Sequence, residues 1–410
     1  MGKTVDLKYG AATVGVTLPE EADLLTIREP QRTASGAAFA ADLDRVLSAR
    51  RLAGSRCAVV VADKTRLCAY DRYLPVLLDR LEAGGAHRRD IACYIAYGTH
   101  PPQSDAESRA AYGEAYATYC FVHHDCSSKA LFRELGATSR GTPIRLRRDI
   151  LDADFVVTFG AISHHYFAGF GGGRKLIFPG LGQREAIYRN HGLFLDRQQR
   201  SLVRSCRPGR LDGNPLAEDL AEVEACRPAD LAIHAILDSG GRVCQLRVGS
   251  GAGHFHRACA EHGRNCECRP AKGYDRVLAS CGGFPKDINF IQAHKAVHQA
   301  AAFVNDGGTL TVLAQCRDGI GSDTFLPWID FGWNAAFDRL GSRYQGNGGT
   351  ALAMMEKSQR IRISMVTDLD SDLCQRIGVE KIDAGSAADL GGHPGGHLAV
   401  IPNASLLVRA

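Results

Sequence analysis

Histidines, a lysine and a cluster of glycines crowd one short stretch of this chain. It reads Ser163-His164-His165-Tyr166-Phe167-Ala168-Gly169-Phe170-Gly171-Gly172-Gly173-Arg174-Lys175, and His191 follows sixteen residues after the lysine. Imidazole is the side chain best suited to moving protons near neutral pH and to holding a borderline metal. A lysine amine can bond covalently to a cofactor. These residue types, so placed, point to proton transfer beside an attached group.

The glycines fit neither common phosphate loop. A Walker A loop needs glycine before its lysine and Ser or Thr after it, where this chain has Arg174 and Leu176. A dinucleotide fingerprint starting at Gly169 needs glycine at the position of Arg174. The apolar run Phe155-Val156-Val157-Thr158-Phe159 reads as a buried strand leading into the turn, and glycines there let the backbone approach a ligand closely. The structural alternative is a tight turn with a solvated lysine.

The elements that must position these groups alternate between strand and helix. Helical periodicity covers 39–51 and 73–84, and the runs at 57–62, 91–97, 119–123, 154–160 and 231–237 read as strands. A second alternation follows the polar segment 262–274, with strands near 276–280, 309–314 and 361–366 and a helix near 288–303. The pattern predicts two α/β domains with largely parallel sheets and an active-site cleft between them. The expected bounds are 1–265 and 266–390, with a strand-bearing tail over 391–410 that can pack back on the N-terminal domain. Within that tail, Gly391-Gly392-His393-Pro394-Gly395-Gly396 precedes a final strand at 398–402 that could return to either domain.

Three reactive loops follow three strands. Asp63-Lys64-Thr65-Arg66 follows the first, Gly98-Thr99-His100 the second, and Ser163-His164-His165 the strand at 154–160. In open α/β sheets ligands bind outside the carboxyl ends of strands, so such loops can converge. His100 and His165 then suit a two-base system, each with a pKa near working pH. Arg66 carries a planar fork for a carboxylate or phosphate, and Asp63 could orient it or accept a hydroxyl. Gln292 and Lys295, one helical turn apart, share a face. The bland reading of these last four is surface pairing and capping. His191 ends a short helix over 183–190, and a single histidine does not hold a metal tightly, since zinc sites supply three or four protein ligands.

Composition excludes several classes. At 410 residues, 45% of them apolar, the chain can build two cores. A net charge of +4 with scattered basic residues gives little support to nucleic-acid binding, and Arg145, Arg147 and Arg148 read as a solvated strand face. No apolar run is long enough to span a bilayer and the N-terminus lacks an apolar signal core, so a cytoplasmic protein is expected. The fourteen cysteines lie mostly in apolar runs and read as buried free thiols, and the one close pair, Cys266-Glu267-Cys268, reads as structural with metal binding as the alternative. Two further glycine segments, Gly249-Ser250-Gly251-Ala252-Gly253 and Gly346-Asn347-Gly348-Gly349-Thr350, could receive a phosphate on helix-terminal amides but read more simply as helix entrances. Oligomeric state leaves no mark in the sequence.

Taken together, Asp63-Lys64-Thr65-Arg66, Gly98-Thr99-His100, His165 with Lys175, Asn190-His191, and Gly282-Gly283-Phe284-Pro285-Lys286-Asp287-Ile288-Asn289 with Gln292 and Lys295 resemble the lactate racemase family that uses a nickel-pincer nucleotide. The resemblance spans roughly residues 60 to 300. It implies that Lys175 is joined covalently to a pyridinium-3,5-bisthiocarboxylic acid mononucleotide whose carbon and sulfurs bind nickel, with His191 completing the coordination. It implies that His100 and His165 act in turn as base and acid on a 2-hydroxyl group while hydride leaves and returns at C2. Asp63, Gly172 and Gly173 then belong with the cofactor, the glycines giving room for a flat ring, and Arg66, Gln292 and Lys295 with the substrate. The implied activity is racemisation or epimerisation of a 2-hydroxy acid, and the implied partners are that small molecule and the enzymes that make the cofactor. Departures from the family pattern are Pro101-Pro102 where arginine is frequent, Leu67 where proline is frequent, and His294 where glutamine is common. Rival readings are a pyridoxal-type lysine racemase, which lacks a convincing phosphate cup here, and a non-catalytic carrier of a nucleotide or nickel cofactor.

Overall fold

A computed structural model describes residues 3–66, 68–385 and 396–410; Leu67 and the glycine-rich stretch 391–395 singled out above lie outside the described residues. The chain divides into two compact units, one of residues 29–194 and 204–265, the other of 1–28, 195–203 and 266–410.

The unit holding 29–194 is built on six strands in the order Val243–Gly249, Leu231–Leu237, Phe155–Ala161, Cys57–Ala62, Ile91–Ala96, Cys120–His123. All neighbours are parallel except the antiparallel edge strand Val243–Gly249. Cys57–Ala62 is buried at every residue, as expected of a central parallel strand covered on both faces. Helix Gly36–Leu47 starts at Ser35, whose side chain accepts from the Ala38 amide, and buries Phe39, Leu43 and Leu47. Helix Tyr70–Ala83 buries Tyr73, Leu74, Leu77, Leu78 and Leu81. The chain runs outward from Cys57–Ala62 to Cys120–His123 and then returns to Phe155–Ala161 on the other side. The reversal makes the carboxyl ends of these two adjacent strands the topological switch point of the sheet.

The other unit also has a six-stranded sheet, all parallel, in the order Glu380–Ile382, Arg362–Val366, Val304–Leu313, Tyr274–Ser280, Leu398–Ile401, Asp23–Leu24. The last strand, left free by the sequence to join either domain, lies between Tyr274–Ser280 and Asp23–Leu24. Against the expected single boundary near 265, residues 1–28 also group here. The reason is packing: Leu7, Val16 and Leu18 of the hairpin Lys3–Tyr9/Ala12–Leu18 share a core with Leu278, Leu313, Val366, Leu398 and Val400. Asp287 secures that hairpin, accepting from the Gly10 amide at 2.7 Å and the Gln315 amide at 3.3 Å.

All fourteen cysteines are free thiols, and all but Cys120, Cys226 and Cys268 are buried. Arg147 departs from its sequence reading. It is 3% exposed, not on a solvated face, because it pairs with Asp149 and lies over the Tyr94 ring. Among the described residues no helix is long and apolar enough to cross a membrane.

Candidate active site

Asp63 leaves the sheet directly after Cys57–Ala62 and is 4% exposed. Its Oδ1 accepts from the amide and hydroxyl of Thr65, at 2.8 and 2.6 Å. Its Oδ2 lies 2.7 Å from Nδ1 of His100, the residue reached by the loop after Ile91–Ala96. Burial pushes the Asp63 carboxyl up, but hydrogen bonds from His100 and Thr65 and the charges of His100 and Arg66 outweigh it and hold the group at about 2. An ionised carboxylate can only accept, so Nδ1 of His100 carries a proton, and in the neutral ring the lone pair then falls on Nε2. Asp63 therefore orients an imidazole and also receives the Thr65 hydroxyl, while Arg66 acts on it through its charge.

The His100 loop is tied to the lysine turn through one residue. The Gly98 amide donates to the Gly180 carbonyl, and the Gly180 amide donates to the Lys175 carbonyl. A side chain at Gly180 would meet the Leu176 carbonyl at 2.3 Å, so only glycine allows this junction. Removal from water, together with the Arg66 and Arg174 charges, pushes the Lys175 ammonium down to about 7. At neutral pH much of this amine is unprotonated, the state in which it is a nucleophile.

His191 is the last residue of helix Arg184–His191. Asn190 locks that helix end, its amide donating to Asp219 Oδ2 at 2.8 Å and to the Leu216 carbonyl at 3.3 Å. Burial first, then the charge of Lys175, push the His191 imidazole down to about 3, against a hydrogen bond to the Ile187 backbone. A neutral imidazole oriented by a backbone partner is what a metal ligand requires. Among the described residues no group of three or more His, Cys, Asp or Glu could hold a metal ion. A metal at His191 would have to bring its other donors with it, and Lys175, whose charge acts on His191, carries an amine that could hold such a donor. The residues present fit a lysine-tethered metal cofactor.

His165 sits on the short hairpin Ser163–His165/Gly169–Gly171, which continues Phe155–Ala161 at the switch point. Its Nδ1 accepts from the amides of Ala168 at 2.9 Å and Phe167 at 3.2 Å. The ring proton is therefore on Nε2. In their neutral forms His100 has its lone pair at Nε2 and His165 its N–H there. His164 packs on Phe170 and His262, both at 4.8 Å between ring centroids, in a structural role.

Electrostatic coupling links Arg66 to Asp63 and Lys175, and His100 and Lys175 to His191. Gly172 and Gly173 are required by the protein's own packing: a side chain would meet the Ala161 carbonyl at 2.3 Å or the Phe255 ring at 2.5 Å. Gln292 and Lys295 lie on helix Phe290–Ala301 of the other unit, with Lys295 Nζ donating to Gln292 Oε1 at 2.6 Å. Sequence reasoning missed the Asp63–His100 pair, because nothing local couples residues 37 positions apart.

Fold and site together define an α/β protein with an imidazole held by a carboxylate after a sheet strand, a lysine brought down to about 7 and a buried histidine pushed down to about 3. Comparison with known proteins gives this class a family. The lactate racemase N-terminal domain matches residues 9–202 and the lactate racemase C-terminal domain matches 270–334. A lactate racemase of Thermoanaerobacterium thermosaccharolyticum is 31% identical over 281 residues, covering 66% of this chain and 62% of the relative. One from Lactiplantibacillus plantarum is 30% identical over 274 residues, covering 65% and 62%. The match thus spans 62% of the length of each of these relatives. The lactate racemase apoprotein structure from T. thermosaccharolyticum superposes over 100% of both chains with a TM-score of 0.87 at 23% identity, establishing the fold. A Thermotoga maritima protein superposes over 93% of this chain and 99% of its own, with a TM-score of 0.67 at 14% identity. The chain belongs to the lactate racemase family.

Proposed function

We propose that this protein is a racemase or epimerase that inverts C2 of a 2-hydroxy acid, lactate or a larger relative. The observation that carries the reading is the Asp63–His100 pair in the same unit as a lysine whose pKa is brought down to about 7, so that about half of its amine is unprotonated at neutral pH. A nickel-pincer nucleotide attached at Lys175, with His191 on the metal, would supply a reversible hydride acceptor for C2. The chain's own residues do the rest. His100 Nε2 takes the proton of the 2-hydroxyl as the C–O bond gains double-bond character, and Asp63 stabilises the imidazolium that results. His165 Nε2–H hydrogen-bonds to the same oxygen, and to give that oxygen a proton the ring must first be protonated at Nδ1 as well, so that a neutral imidazole is left. In the opposite direction His165 must accept the proton, which requires it to exchange its Nδ1 contacts with Phe167 and Ala168 for a ring proton. Arg66 suits the substrate carboxylate, and Gln292 and Lys295 are assigned to substrate on the strength of their motif.

The fourteen free thiols favour a reducing compartment, and the cytoplasm is the proposed location. The deciding experiment is intact-mass and nickel analysis of protein produced together with the enzymes that make the cofactor, followed by a panel of 2-hydroxy acids. A covalent adduct mapped to Lys175 with bound nickel is expected. Protein that carries neither adduct nor nickel defeats the cofactor assignment, and a loaded protein that interconverts no 2-hydroxy acid defeats the activity.

A further inference from the structure

The residue before Lys175 opens a different question. Arg174 is 5% exposed, and its Nε and Nη2 make no hydrogen bond. Its guanidinium lies 5.2 Å from the centroid of the Phe255 ring. It lines a cavity of about 160 Å³ bounded by helix Pro215–Ala225, the start of helix Gly251–Cys266, and Thr158, Ala232 and His234 of two adjacent strands. His234 is 1% exposed, and neither of its ring nitrogens has a hydrogen-bond partner. The ring is held between His254 and Phe255, at 4.7 and 5.8 Å. Two buried, polar and unsatisfied side chains therefore face one cavity. None of Asp63, His100, His165, Lys175 and His191 lines it.

A guanidinium cannot shed its charge, and a charge removed from water is costly unless it is paired. Glu224 on the cavity wall attracts Arg174 through space and leaves those two nitrogens without a hydrogen bond. Burial keeps the Glu224 carboxyl raised despite Arg174. Gly251 and Ala252, exposed at the mouth, begin a helix of 16 residues. The first amides of such a helix lack intrahelical partners and carry its positive end. Gly173, Ala221, Ala225 and Ala229 keep the space open by having little side chain.

We propose that this cavity binds a small phosphate-type oxyanion, either free phosphate or the phosphate end of a nucleotide, through the Arg174 guanidinium, a ring N–H of His234 and the first amides of helix Gly251–Cys266. The donors are of the kind that recognise tetrahedral oxyanions: a fork for two oxygens, one imidazole N–H and a helix terminus. Glu224 opposes the anion and so limits its affinity. None of its proposed donors is among the residues given to substrate or cofactor, although it shares Gly173 with them and the Arg174 charge acts on Lys175.

The test is thermal melting of the full chain, purified without phosphate, titrated with inorganic phosphate, AMP, or sodium chloride at matched ionic strength. Phosphate or AMP is expected to raise the melting temperature saturably where chloride does not. Arg174→Met should weaken that response at least about tenfold, as loss of a charge-assisted contact does. Glu224→Gln should tighten it. Ala252→Asp places a carboxylate at the mouth and should abolish the response in a folded protein, which keeps the proposal testable if Arg174→Met does not fold. AMP binding at least about tenfold tighter than phosphate, and dependent on Arg174, identifies a phosphate ester as the ligand; equal affinities identify free phosphate. A wild-type protein that responds to neither anion, or a response that survives Ala252→Asp, overturns the proposal.

Discussion

Arg174 and Lys175 are neighbours in sequence, both withdrawn from water, and they meet opposite fates. Burial and two nearby cations bring Lys175 down to about 7, so it escapes the cost of its charge by releasing the proton and becomes a nucleophile. Arg174 has no such exit and needs a negative partner. The carboxylates on the two sides differ in the same way. Asp63 accepts hydrogen bonds from His100 and Thr65 and is held at about 2, whereas Glu224 lies in a buried wall where desolvation outweighs Arg174 and its carboxyl is raised. The contrast shows that burial by itself does not make a reactive site. What decides the outcome is whether the buried group can change its protonation state and whether its partners are close enough to hydrogen-bond.

The sharpest way to break this contrast is Lys175→Arg, which puts a permanent cation at both positions. Protein made with the cofactor enzymes should then carry no adduct by intact mass and show no racemisation. In the cofactor-free wild type, labelling of Lys175 by an amine reagent should be half-maximal near pH 7, far below the ordinary lysine range. Next in size, His100→Asn should lower turnover by about 10²–10⁴-fold while nickel stays bound, read by initial rates and metal analysis. Asp63→Asn removes only the orienting partner, and kcat should fall by about 10–100-fold, with the acidic limb of the pH–rate profile displaced.

Asp63 also ties stability to pH. Its folded pKa lies below its unfolded value of 3.8, so the unfolded chain takes up the proton first. The pair contributes about 2 kcal/mol above pH 4, a contribution lost as pH falls toward 2. The urea midpoints of wild type and Asp63→Asn should accordingly differ most at neutral pH and converge in acid. The smallest effect is expected at Lys295→Ala, an exposed residue, whose KM should rise by about tenfold or less with kcat little changed in a steady-state assay with the active 2-hydroxy acid.

Much of the scaffold was legible beforehand. Cys57–Ala62, Ile91–Ala96, Phe155–Ala161 and Leu231–Leu237 are apolar runs bounded by polar loops, and strands buried on both faces have to look that way. The reactive loops were visible for the same reason, since each follows a strand whose end could be read. The N-terminal hairpin was not assigned to its partner strands, because which core receives Leu7 and Val16 depends on contacts hundreds of residues away. Arg147 looked like a surface charge because no local pattern reveals a buried ion pair with Asp149.

The sequence alone determined the alternation of strands and helices, the residue types of the site and its family likeness, all of which reside in short-range pattern and motif order. Tertiary structure alone decided that Asp63 orients His100, that Gly180 joins the His100 loop to the lysine turn, and that Arg174 faces a separate cavity. Protonation state and partner choice depend on distance and burial, and these exist only once the chain has folded.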